Sequence, residues 1–221
     1  MYAVSTSNQS YHHGALKAAL LDAADALLDE GGVEAVSLRE AARRAGVSAM
    51  APYRHFADKE SLLAALATRG FRAFAAALRD ATQNSGDGFA AMGRAYVRFA
   101  LARPGRFRLM FGSGIGERAR HPDLCAAGEI ASRQLLAAVK ASGRAGADPQ
   151  TAAIRAWSMV HGLSHLLLDG MLPGVDPETV ARAVTAQAQP SPSAAPANEP
   201  PALGAQTKSK RNRRDRHAGP R

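Results

Sequence analysis

The chain has 221 residues, 46% hydrophobic, 21% charged and 5% aromatic; this is room for one medium globular domain or two smaller ones, in a composition that favours helix over sheet. Its net charge of +9 is uneven, with +4 on residues 1–188 and +5 on residues 189–221. One cysteine, Cys125, excludes an intramolecular disulfide framework, the polar N-terminus lacks the apolar core of a secretory signal, and no apolar run approaches the ~20 residues that cross a bilayer. A cytoplasmic protein with no membrane partner is expected.

In chain order, a polar arm over 1–12 precedes a helix from Gly14 to Glu30, where Leu16, Leu20, Ala23, Leu27 and Leu28 recur at helical spacing until Gly31-Gly32 ends it. Ser37 and Glu40 form a capping-box pattern for a short helix ending near Ala45. Gly46 breaks it, and Ser48 caps a second short helix ending near His55-Phe56. Asp58 caps a long helix from Lys59 to about Thr82. Further helices are expected over 89–102, 104–110, 123–142, 149–171 and 177–188, the last two opened by Asp148-Pro149 and Asp176-Pro177. The expected fold is all-α, with about nine helices. Residues 189–221 hold a Pro-rich stretch and then a basic run, Lys208 to Arg216, and bury too little apolar surface to order.

The stretch 37–56 carries the functional signal. Small residues on the first helix (Ala41, Ala42, Ala45) admit a close crossing, Gly46 supplies a positive-φ turn, and Val47 plugs the corner. This is the pattern of a helix-turn-helix, whose second helix enters the major groove. Ser37 and Ser48 stand at helix N-termini, where free N–H groups favour a phosphate, and Tyr53, His55 and Lys59 are further donors. Residues 37–59 carry a net +3, with Arg39, Arg43, Arg44 and Arg54 among the cations, whereas residues 14–36 carry −4. The basic face is therefore local.

The run from Ser37 to Ser48, followed by Tyr53-Arg54-His55-Phe56-Ala57-Asp58-Lys59-Glu60-Ser61-Leu62-Leu63, closely resembles the N-terminal domain of TetR-type repressors, over about residues 13–73. The resemblance implies an all-α homodimer with a three-helix DNA-binding domain at 13–73, and a ligand-binding and dimerisation domain at 74–188. It places Ala49, Met50, Ala51 and Tyr53 on the recognition helix, and Ser37, Ser48, Tyr53, His55 and Lys59 at phosphate-contacting positions. Pro52 departs from the many relatives with Thr or Leu there; it removes a backbone donor and biases Ala51 away from helical angles. Because Ala49, Met50 and Ala51 are apolar, hydrogen-bonded base readout falls to Arg54 or Arg39. Farther along, Trp157, His161 and Gly162 resemble the signature of a TetR-type subclass named for Trp-His-Gly. The segment Arg103 to Phe111 is similar to that subclass as well.

His161, His165 and Asp169 lie at i, i+4 and i+8 and have the spacing of metal ligands. They fall, however, on a helix with two apolar stripes, which favours buried structural histidines. Phe71, Phe74, Phe89, Tyr96, Phe99, Phe107, Phe111 and Trp157 are cavity candidates or plain core. Cys125 reads as an ordinary helix residue. The expected function is a repressor released from a palindromic operator in double-stranded DNA by an unidentified small-molecule effector, with no cofactor and no catalysis. The alternatives are a metal-dependent enzyme using His161, His165 and Asp169, or a nonspecific nucleic-acid binder acting through the basic tail.

Overall fold

A computed structural model describes residues 7–187, with side chains over 14–186; the Pro-rich and basic tail at 189–221 lies outside them. Eight α-helices follow in order: α1 (Ser7–Ala35), α2 (Leu38–Arg44), α3 (Lys59–Gln83), α4 (Gly88–Ala102), α5 (Pro104–Phe111), α6 (Pro122–Ala141), α7 (Pro149–Leu168) and α8 (Pro177–Gln187). Two single 3₁₀ turns, Pro52–Arg54 and Arg118–Arg120, complete the regular structure, and no strand occurs among the described residues.

Helix starts follow their side-chain caps. Asp58 accepts the Ser61 amide at 2.7 Å while the Ser61 hydroxyl receives the Asp58 amide, a closed capping box. Asp87, Asp148 and Asp176 cap α4, α7 and α8 in the same sense. Ser37 accepts the Glu40 amide at 3.1 Å, but the expected reciprocal bond does not form, because the Glu40 carboxylate turns forward to Arg43.

Four expectations are corrected. First, α1 starts at Ser7, inside the expected polar arm. It does break where expected: Gly31 (φ −142°) and Gly32 (φ 68°) are non-helical, and only a short turn follows. Second, no α-helix forms after Ser48. The Ala51 amide reaches the Ser48 carbonyl and the Phe56 amide reaches the Pro52 carbonyl, but Pro52 has no N–H to continue the ladder, so only one 3₁₀ turn results. This removes the ninth helix. Ala51 itself keeps helical angles, φ −62° and ψ −41°. Third, α7 stops at Leu168 rather than near Met171, since Gly170 takes φ 69° and the Met171 amide closes back on the Leu166 carbonyl in a Schellman arrangement. Fourth, α3 is the one helix among the described residues long and apolar enough to cross a membrane, against the expectation of no such run; 61% of its most apolar stretch is buried in the protein.

The core is one continuous cluster running from Leu20 and Leu28 through Phe56, Leu62 and Leu66 to Phe74, Tyr96, Phe107 and Leu163. α3 runs along all of it, meeting α1 near its start and α4 and α6 farther on. α5 is tied to α1: Arg106 forms a bidentate ion pair with the buried Asp25, and Arg103, just before α5, reaches Asp29 at 2.6 Å.

Candidate nucleic-acid interface and cavity

Gly46 adopts φ 68°, and the Val47 amide returns to the Ala42 carbonyl at 3.0 Å, so α2 ends in the expected left-handed turn. Ala41 and Ala42 are buried beneath it. The chain then pins itself with Pro52 and Phe56, both buried, and this turns the residues between and around them outward. Ser48 and Ala49 are exposed, Met50 is 71% exposed and Tyr53 52%, and Arg54 is exposed. Ala51, His55 and Lys59 are half-buried, as is Ser37. Ser37 Oγ is committed as an acceptor to Glu40, leaving its hydroxyl proton for an outside oxygen.

The basic face is smaller than the residue count suggests. Arg44 pairs bidentately with Glu30 of α1 at 2.7 and 2.8 Å, and Arg43 with Glu40 at 2.6 Å. These hydrogen bonds hold the Glu30 and Glu40 carboxyls below the ordinary range. Arg39, Arg54 and Lys59 have no ion pair among the described residues and supply the uncommitted charge.

The helical body contains a cavity of about 620 Å³, walled by α3, α4, α6 and α7, with residues of α5, Arg118 and Thr185 of α8 completing its lining. It divides the aromatic candidates: Phe71, Phe74, Phe89, Tyr96, Phe111 and Trp157 line it, whereas Phe99 and Phe107 do not, and Phe107 is fully buried core. Ile154 and Trp157 line it while being 51% and 42% exposed, so the cavity reaches the surface.

Trp157 and His161 meet at Tyr96. The Trp157 indole N–H donates to the Tyr96 hydroxyl at 3.1 Å, and that hydroxyl lies 2.7 Å from His161 Nδ1. Burial and the neighbouring His165 push the His161 pKa down, which favours the neutral ring. Since indole only donates, the Tyr96 proton goes to His161 Nδ1. Burial also pushes the Tyr96 pKa well up, so the phenol keeps that proton. Gly162, the third signature residue, is exposed, and a Cβ there would meet nothing within 4 Å.

The metal reading finds no support in the geometry. His161 and His165 meet edge to face at 4.7 Å between centroids, but Asp169 accepts Arg108 at 2.7 Å, and no group of three or more His, Cys, Asp or Glu among the described residues is placed to hold an ion. Sequence reasoning missed Arg118, a residue of the cavity lining whose guanidinium donates to the Met110 and Gly112 carbonyls. It opens the short 3₁₀ turn that follows a glycine-rich loop, with no helical period to mark it.

A helix-glycine-turn unit with a local basic rim, at the head of an all-helical body, defines the class of DNA-binding regulators. The family model for bacterial regulatory proteins of the tetR family matches residues 20–66, and the model for a tetracyclin repressor-like C-terminal domain matches 89–189. The chain belongs to the tetR family of transcriptional regulators. Among solved structures it is similar to a protein of unknown function from Rhodococcus sp. RHA1, at 36% identity and TM-score 0.70 over 82% of this chain and 97% of that one. It shares its fold with the regulator PfmR from Thermus thermophilus, at 22% identity and TM-score 0.60 over 76% and 96% of the two chains. It also shares the fold of RolR, solved with resorcinol, at 24% identity and TM-score 0.54 over 80% and 89%. No curated protein matches the chain by sequence.

Proposed function

We propose that this regulator is a cytoplasmic homodimeric repressor, without catalytic activity, that holds a two-half-site operator through residues 37–59 and releases it when a small molecule fills the helical cavity. The carrying observation is the outward set Ser48, Tyr53 and Arg54, with Lys59 beside it, anchored from beneath by the buried Pro52 and Phe56. Ser37, Ser48, Tyr53, His55 and Lys59 take backbone phosphates; Arg39 and Arg54 approach base edges, while Ala49, Met50 and Ala51 offer apolar contacts of the kind that suit thymine methyls. Dimerisation uses the outer face of α7, where Leu166 is 45% exposed and Gly162, about one turn before it, admits a close helix neighbour. The cavity supports the effector reading, as does the resorcinol held by RolR, a protein of the same fold. Two tethered half-sites bind adjacent turns only at a spacing of ~34 Å, so a ligand-preferred dimer geometry that changes the spacing lowers affinity.

The test is binding to a duplex selected from a random pool. Replacing Tyr53 and Lys59 together by Ala is expected to weaken binding by about a hundredfold or more, since contacts to charged groups contribute about 1.5–3 kcal/mol each. Unchanged affinity in a folded double variant overturns the interface.

A further inference from the structure

Arg118 is the one wall charge of the cavity with no carboxylate partner among the described residues. The other arginine of the lining, Arg133, is tied to Glu129 at 3.3 Å. Elsewhere in the polar wall, Trp157 and Tyr96 belong to the chain with His161 described above, and Thr185 donates to the Ala181 carbonyl at 2.8 Å. Arg118 is half-buried, and its side-chain hydrogen bonds come from a single nitrogen, Nη2, to the Met110 and Gly112 carbonyls. The Nη1 and Nε protons are therefore still to be given. Its backbone is fixed too, because the Cys125 thiol donates to the Arg118 carbonyl at 3.3 Å. A positioned guanidinium with spare donors, in a wall built mostly of aromatic and aliphatic residues, is a site for a planar anion on an apolar body.

Resting on the reading of this cavity as the effector site, we infer that its ligand is an amphipathic carboxylate whose acid group is held by Arg118 and whose apolar part packs against Phe71, Phe74, Phe111 and Trp157. The volume of about 620 Å³ lies within the usual range of small-molecule sites. Loop 112–121 also carries His121, whose Nε2 lies 3.1 Å from Glu60 Oε1, next to Lys59 of the DNA-binding face. The anchor for the acid and a contact to that face thus share one loop.

Trp157 is the only tryptophan in the chain and lines the cavity, so its fluorescence reports occupancy directly. The probes are dodecanoate and 1-dodecanol, which differ only in the headgroup, titrated against the full chain. Dodecanoate is expected to bind at least about tenfold more tightly than the alcohol, the scale of a charge-assisted hydrogen bond. Arg118→Gln, which keeps an amide donor for the two carbonyls, is expected to erase that preference and leave alcohol binding unchanged. Arg118→Lys, which keeps the charge, is expected to retain part of it, and this arm stands if the Gln variant does not fold. Equal binding of the two probes by the unaltered chain, or a preference that survives in Arg118→Gln, overturns the anion assignment and leaves the cavity reading standing. No binding of either probe overturns both.

Discussion

The Trp157–Tyr96–His161 chain shows how a side chain's partners decide its role. Spacing alone left His161 between metal ligand and buried histidine; what settles its environment is a phenol from α4, 65 residues earlier in sequence. Helical periodicity reports which residues share a face, not which side chain of another helix meets that face. Replacing Tyr96 by Phe strands the indole N–H and the imidazole Nδ1 together, and a loss of about 1–3 kcal/mol is expected in denaturant unfolding. The depressed pKa of His161 adds a pH dependence. The unfolded chain takes up a proton near pH 6.5 and the folded one only at lower pH. Stability is therefore full above about pH 6.5, falls as the solution is acidified below it, and is flatter in His161→Gln.

Among the elements, those opened by an acidic or hydroxyl cap were legible almost to the residue, because the signal is local: one side chain accepts an amide three positions on. Asp58 before α3 is an instance, and Asp58→Ala is expected to cost about 1 kcal/mol, lowering the melting temperature by about 2–4 °C. The helix expected after Ser48 fails although a capping residue type stands at its start, because Ser48 makes no side-chain cap and Pro52, four residues on, denies the next amide. The early stop of α7 is hidden in the sequence because Asp169-Gly170 looks like a continuing polar face until Gly170 is seen in the left-handed region. The charge of the DNA-facing elements was legible only as a sum. That Arg44 answers Glu30 is a matter of how α1 and α2 cross, which residue counting does not contain.

On the scale of the whole molecule, the all-helical architecture followed from composition and period, whereas the cavity did not, since a void is a property of packing among α3, α4, α6 and α7 together. The same holds for the outer face of α7, where apolar side chains stay exposed in the single chain. If that face joins two copies, Leu166→Glu places a charge in the seam, and sedimentation velocity is expected to show a monomer at concentrations where the unaltered chain is a dimer. A dimer that persists in Leu166→Glu points to a different surface.

The ion pair between Arg106 and Asp25 links residues 81 positions apart, with Asp25 only 5% exposed. Losing Asp25 alone leaves the Arg106 charge uncompensated out of water, a penalty of about 3–5 kcal/mol, and losing Arg106 leaves Asp25 only the more distant Arg103 at 3.9 Å, whereas exchanging both for well-packed apolar groups is close to neutral. These two positions are therefore bound to drift in concert as the sequence diverges: a descendant that has given up the acid on the first helix must also have surrendered the guanidinium on the fifth.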